Sequence, residues 1–224
     1  MPYDLCVRIP FNESARAAEL LKGLGWNGFC LLAGKNEAKH AITAEKTGAY
    51  MSVGLLINPR NKSELVRSVS LARREWEIIA VECTSPETAR AAAETRGVDI
   101  ITGWEARGTD NIINYVTAKM AAENDVAIAF SFHPILSAYD RSRASVMSRL
   151  IEVAGFVRKY RAPFILASGA ISYWDMRSPS ELSSFGRMLG FSARETRKSI
   201  SGQIMAENRK RLSGRWIMPG VERD

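Results

Sequence analysis

Short apolar runs alternate along this chain with stretches whose apolar positions recur every three to four residues. The runs Asp4–Ile9, Gly28–Leu32, Met51–Ile57, Ile78–Cys83, Val98–Thr102, Val126–Phe132 and Phe164–Ala167 are candidate strands. Several are nearly continuous in Val, Ile, Leu, Ala and Phe, as expected of parallel strands covered on both faces. Helix start signals lie between them. Asn61-Lys62-Ser63-Glu64 has the spacing of a capping box ahead of Leu65 and Val69. Ser85-Pro86 and Ser178-Pro179 each place a proline behind a capping serine. Asp110 precedes Ile113, Val116 and Met120 at helical spacing, a helix expected over residues 111–122. From about Asp140 to Tyr160, Val146, Leu150, Val153, Ala154 and Val157 share one face. Ser192-Ala193-Arg194-Glu195 opens the last helical region, with one or two basic helices between Thr196 and Arg215.

Strand and helix alternating through short loops predict a parallel sheet with right-handed crossovers. A doubly wound sheet would carry a glycine-rich phosphate loop behind its first strand. Here that loop reads Pro10-Phe11-Asn12-Glu13-Ser14, without glycine. A (β/α) barrel needs no such loop, and seven strands approach the usual eight. The expected architecture is therefore an α/β, TIM-like parallel barrel of about seven strands. It forms one domain over residues 1–215, followed by an irregular tail over 216–224 around Pro219-Gly220.

The formal charge of +7 changes the picture once it is divided along the chain. Residues 1–130 hold 15 Lys and Arg against 16 Asp and Glu, whereas residues 131–224 hold 16 against 8. In the second part, 13 of the 16 cations are Arg, whose planar fork suits phosphate. Such asymmetry favours a polyanionic partner, against the simpler reading of a soluble basic surface. The cations singled out for RNA are Arg141, Arg158, Lys159, Arg177, Arg197, Lys198 and the run Arg209-Lys210-Arg211. Most lack an acidic neighbour four residues away. They would meet phosphates by displacing counterions. Tyr139, Tyr173, Trp174 and Trp216 lie near basic residues, where they either stack on unpaired bases or cover the core.

Catalytic candidates are few. Chemistry in a barrel gathers at the C-terminal ends of the strands, here Glu82, Thr102, Ser131, His133 and Ser168. His40 and His133 are the only histidines, too few for a multinuclear metal site. Gly169-Ala170-Ile171-Ser172 is no nucleophile elbow, and Gly34-Lys35 is no phosphate loop. No catalytic or metal-ligating residues are assigned. Cys6, Cys30 and Cys83 are odd in number and widely spaced, which predicts buried free thiols in a reducing compartment. No secretory signal is evident, and no apolar stretch approaches the roughly 20 residues of a membrane helix. A cytoplasmic protein without membrane contact is expected.

One ordered constellation is more specific than charge. It runs Phe130-Ser131-Phe132-His133-Pro134, then Arg141 and Arg143, then Val157-Arg158-Lys159-Tyr160. After it come Ile165-Leu166-Ala167-Ser168-Gly169-Ala170, Trp174-Asp175-Met176-Arg177-Ser178-Pro179 and Leu189-Gly190. In this it resembles the archaeal and eukaryal ribonuclease P protein component 3, the thirty-kilodalton subunit family. Val98-Asp99-Ile100-Ile101 extends the match upstream. The resemblance is good over roughly residues 50–205 and loose at both ends. It implies a barrel related to polymerase-and-histidinol-phosphatase metallohydrolases and a role in removing 5′ leaders from precursor tRNA. The implied partners are the ribonuclease P RNA, a small ferredoxin-like protein subunit, the other ribonuclease P proteins and, indirectly, precursor tRNA. It also implies no cofactor on this chain, since Mg²⁺ belongs to the RNA subunit. The related metalloenzymes carry a His-x-His motif at the end of strand one, where this chain has Cys6 and Arg8. An arginine offers no lone pair to a metal, so the departure removes the chemistry and leaves a cation. The alternatives are a metal-dependent phosphoesterase on the same barrel and an assembly scaffold with an acidic protein partner.

Overall fold

All seven apolar runs become strands in a computed structural model that describes residues 1–44, 51–105, 112–213, 216–218 and 221–222. They are β1 (Asp4–Val7), β2 (Phe29–Ala33), β3 (Met51–Ile57), β4 (Ile79–Glu82), β5 (Ile100–Thr102), β6 (Ala127–Ser131) and β7 (Phe164–Ala167). Every neighbouring pair is parallel, and spatial order follows chain order from β1 to β7. The helices are α1 (Ser14–Gly23), α2 (Lys35–Ala44), α3 (Lys62–Ala72), α4 (Pro86–Glu94), α5 (Tyr115–Glu123), α6 (His133–Ser137), α7 (Asp140–Tyr160), α8 (Pro179–Met188), α9 (Ala193–Ser199) and α10 (Gln203–Leu212). The sheet curls into a nearly closed barrel with the helices outside.

The strand alternation explains how one chain builds two cores. Cys30, Leu32, Ile78, Ala80, Ile100, Ala127, Ala129, Ile165 and Ala167 join Leu5 and Cys6 in the barrel interior. Phe29, Leu31, Val53, Leu55, Ile79, Val81, Ile101, Ile128, Phe130 and Leu166 face the helices instead. The interior mixes Ala and Cys with Leu, Ile and Met, so that small and large side chains together fill the little space seven strands enclose. Gly54 is the tightest point: a Cβ there would stand 2.8 Å from Leu32 Cδ2 and 2.9 Å from Cys30 Sγ. Met205 of α10 packs with the interior cluster, and its sulfur accepts from Ser52 Oγ at 3.0 Å.

The β1/β7 seam is stitched by individual bonds. The buried Asp4 carboxylate accepts from the Ser168 amide at 3.2 Å, and the Arg8 amide donates to the Ala170 carbonyl at 2.8 Å. Desolvation raises the Asp4 carboxyl from an ordinary 3.8 to about 6, although the bonds from Ser168 and Cys6 pull it down.

Most helix starts follow the expected chemistry. Asn61 caps α3 by accepting from the Glu64 amide at 2.9 Å, and Ser85, Ser178 and Ser192 cap α4, α8 and α9 in full capping boxes. Two expectations need correction. The fifth helix begins at Tyr115, not near residue 111, because Asn114 supplies the cap by accepting from the Thr117 amide at 3.0 Å. Ile112 and Ile113 are buried ahead of it, while Asp110 lies outside the described residues. The tail expected to be irregular contains an antiparallel pair, Trp216–Met218 with Val221–Glu222, since its β-prone residues satisfy one another's backbone. Pro219 and Gly220 lie outside the described residues.

Candidate functional site

The C-terminal mouth of the barrel gathers the polar residues expected there, already engaged with one another. Glu82, at the end of β4, accepts from Arg8 NH1 at 3.0 Å and from Asn58 Nδ2 at 3.3 Å. The cation left where a metal ligand would stand is thus paired within the chain. Gly103, at φ +79°, keeps the space beside Glu82 open, because a Cβ would sit 2.7 Å from Glu82 Cγ. Glu105 is buried behind this pair and accepts from the Ser131 amide at 2.8 Å, and its carboxyl is pushed up by desolvation. Burial also pushes the Cys6 thiol up, so it stays protonated, and all three cysteines are buried thiols outside any disulfide. A neutral thiol and a paired guanidinium do not fit a divalent metal. Among the described residues, no cluster of three His, Cys, Asp or Glu side chains could hold one.

His133 opens α6, because Phe132 already has helical backbone and Pro134 suits the first turn. Its Nδ1 lies 3.4 Å from Asp175 Oδ2, an ion pair whenever the ring is protonated. Asp175 also accepts from the amides of Ile171 and Ser172 at 3.3 and 3.1 Å. The carboxylate is thereby committed to shaping the loop behind β7. Ser168 serves the seam: its Oγ accepts from the Ala170 amide at 3.1 Å and its side chain bonds the buried Asp4 carboxylate. No nucleophile, base and orienting group line up at this mouth among the described residues.

The nine cations singled out for RNA do not form one patch. Arg141 is exposed in the first turn of α7, whereas Arg158 and Lys159 close its last turn, about 26 Å away along the axis. Arg158 donates to the Gly190 carbonyl at 3.1 Å and fastens the turn between α8 and α9. Gly190, at φ +89°, leaves the room that guanidinium needs. Arg177 is half-buried and donates to the carbonyls of Trp174 and Met176 at 3.1 and 2.7 Å. Arg197 and Lys198 are exposed on α9. Arg158, Arg161 and Lys198 do meet at a cavity of about 630 Å³ beside the start of β7, but Asp125, Glu195 and Glu207 line it too.

The run Arg209-Lys210-Arg211 is not a uniform row of solvent-facing cations. Arg209 Nε sits 2.9 Å from both carboxylate oxygens of Glu77, and Arg211 donates to the carbonyls of Arg73 and Trp76. Lys210 is exposed. Beside them Asn208 joins Arg73 and Asp99 in a buried network. Much of this basic helix is therefore held to the barrel by its own side chains. Sequence spacing missed this because Glu77 and Arg73 lie more than 130 positions away.

Of the aromatics singled out for stacking, Trp174 at 72% and Tyr139 at 71% are more exposed than a core role allows. Tyr173 is half-buried against Trp174, and the side chain of Trp216 lies outside the described residues.

Comparison with known proteins now bears on this geometry. The RNase P subunit p30 family matches residues 1–212. "Ribonuclease P protein component 3" of Methanosarcina mazei is 31% identical over 98% of this chain and 94% of its own length. Among solved structures, a chain in the cryo-EM structure of archaeal ribonuclease P with mature tRNA superposes with a TM-score of 0.84. It covers 98% of this chain and 96% of its own length at 24% identity. The histidinol phosphate phosphatase of Lactococcus lactis, solved with zinc, L-histidinol and phosphate, shares the fold at a TM-score of 0.50 and 11% identity. That match covers 84% of this chain and 92% of the phosphatase.

Proposed function

Because the chain belongs to the RNase P subunit p30 family, we propose that it is a non-catalytic, RNA-binding protein subunit of ribonuclease P. In this reading it helps remove 5′ leaders from precursor tRNA in the cytoplasm. The family match over residues 1–212 carries the reading. The arginine excess after residue 130 supports it physically: folding a large RNA crowds phosphates together, and fixed cations lower that repulsion. Arg141, Arg158, Lys159, Arg197, Lys198, Arg209 and Lys210 are the exposed members of the expected set. In this proposal Arg141, Lys159, Arg197, Lys198 and Lys210 serve phosphates directly, while Arg158, Arg177, Arg209 and Arg211 also hold the scaffold through their own bonds. The catalytic Mg²⁺ is assigned to the RNA subunit, and the protein partners to the other ribonuclease P proteins, a small ferredoxin-like subunit among them. The competing phosphoesterase reading draws no support from the mouth, where Arg8 and Glu82 neutralise each other.

The decisive experiment is precursor-tRNA cleavage by a reconstituted particle at limiting Mg²⁺, with and without this chain. Omission should collapse the rate, while the chain alone cleaves nothing. Cleavage by the chain alone, or an unchanged rate on omission, refutes the proposal.

A further inference from the structure

We infer that the rim above β6 and β7 is a docking platform for single-stranded RNA, on which Trp174 and Tyr139 stack against unpaired bases. The inference rests on the RNA-binding reading above and deepens it by naming a surface and a kind of RNA. Its starting point is that two large aromatic side chains stand in solvent on neighbouring connections. Tyr139 lies on the connection leaving β6, Trp174 lies on the one leaving β7, and those strands are paired. His133, at the start of α6, and Asp175 bring the two connections within 3.4 Å of each other.

The Trp174 loop is built to hold its indole still. Ser172 and Asp175 form a capping box around the single turn Tyr173–Asp175. Arg177 donates to the Trp174 carbonyl, Glu13 Oε2 accepts from the Tyr173 amide at 3.2 Å, and Tyr173 backs the indole with centroids 4.5 Å apart. Gly169, at φ +63°, begins this path, and a Cβ there would come within 2.7 Å of Ser131 Cβ. A loop fixed at this many points does not collapse to bury its tryptophan. The ring is thereby preorganised, so a stacking partner meets little ordering cost.

Base stacking fits the surroundings better than an apolar protein anchor. The Tyr139 ring lies beside a guanidinium, Arg143 at 5.7 Å from its centroid, and Arg177 bonds the Trp174 main chain while lying over the Phe132 ring. Arg141 and Arg143 are exposed in the first turn of α7. Of the nearby acids, Asp175 and Glu13 are committed to backbone amides, which leaves Asp140 as the exposed carboxylate of that turn. Flat rings beside cations, spaced along a rim, match a sequence-tolerant single-strand platform. Paired RNA presents no free base faces to such rings.

The test uses the full chain with two probes, a short oligouridine and a fully paired RNA duplex. Photocrosslinking of wild-type protein to 4-thiouridine-substituted oligouridine should map to Trp174 and Tyr139. Trp174→Leu should weaken oligouridine binding roughly 5- to 100-fold, while Trp174→Phe retains most of it. Duplex affinity and the salt dependence should stay unchanged, because no phosphate contact is removed. Unfolding midpoints of both variants should match wild type, and the crosslink is independent of any folding defect. Wild-type affinity in the Trp174→Leu/Tyr139→Leu double variant, with duplex binding intact, overturns the platform and spares the RNA-binding reading. Retained RNA affinity with lost association to another protein subunit reassigns the rim to a protein interface and overturns it too. Failure of the wild-type chain to bind either probe sinks the RNA-binding reading and this inference with it.

Discussion

Replacing Asp99 with Ala should loosen the C-terminal helix before it loosens the barrel. The Asp99 carboxylate is 7% exposed and accepts from Arg73 NH1 at 2.6 Å, Arg73 NH2 at 2.9 Å, the Ile79 amide at 2.7 Å and Asn208 Nδ2 at 2.9 Å. One side chain thus joins the start of β4, the end of α3 and the middle of α10. Removing one partner of a fully buried ion pair costs about 3–5 kcal/mol. The Arg73 side chain keeps 23% of its surface, so water recovers part of its solvation and about 2–4 kcal/mol remains as the expected loss. For a chain of this size that lowers Tm by about 5–15 °C. The comparison is Glu77→Ala, which frees Arg209 from a pair whose side chains are 47% and 28% exposed. There the cost should be about 0.5–1 kcal/mol, since water replaces most of the interaction. Denaturant melts give the two magnitudes, and amide hydrogen exchange gives the location. In Asp99→Ala the α10 amides should exchange faster than those of α7, relative to wild type. A destabilisation under about 1 kcal/mol, or loss of protection spread evenly over both helices, would refute the reasoning.

Two further outcomes follow from the barrel interior and its seam. Because the folded Asp4 carboxyl titrates at about 6 against an ordinary 3.8, the folded state holds the extra proton between those values. Wild type should therefore lose stability relative to Asp4→Asn as pH rises from about 4 to about 6, by at most about 3 kcal/mol, with a constant difference above that window. A difference independent of pH in paired melts would show that Asp4 titrates alike in the folded and unfolded chain. Gly54→Ala should cost about 1–3 kcal/mol by overpacking the interior, whereas Gly155→Ala on α7, where a Cβ meets nothing within 4 Å, should gain about 0.5–1 kcal/mol. Equal melting curves for the two variants would contradict the close approach at Gly54.

Strand runs and helix caps were legible in the residues themselves because each depends on neighbours a few positions apart, and their alternation along the chain predicted the barrel class. Alternation across a strand and the serine-proline starts are local patterns, and β3, β7 and α7 begin and end where those patterns do. The ordered constellation from Phe130 to Gly190 likewise pointed to the family that the whole-chain match assigns. What the residues could not reveal was which charges are already spent. Arg8 finds Glu82 across 74 positions, Arg209 finds Glu77 across 132, and Arg211 reaches main-chain carbonyls near Trp76. A count of cations therefore overstates the charge offered to a partner, because pairing depends on distances that close only when the sheet curls. The same holds for the aromatics. In sequence Tyr173 and Trp174 are equivalent neighbours, yet one backs the other and only Trp174 stands in solvent. Local pattern determined the elements, and tertiary contact decided which side chains remained available for binding.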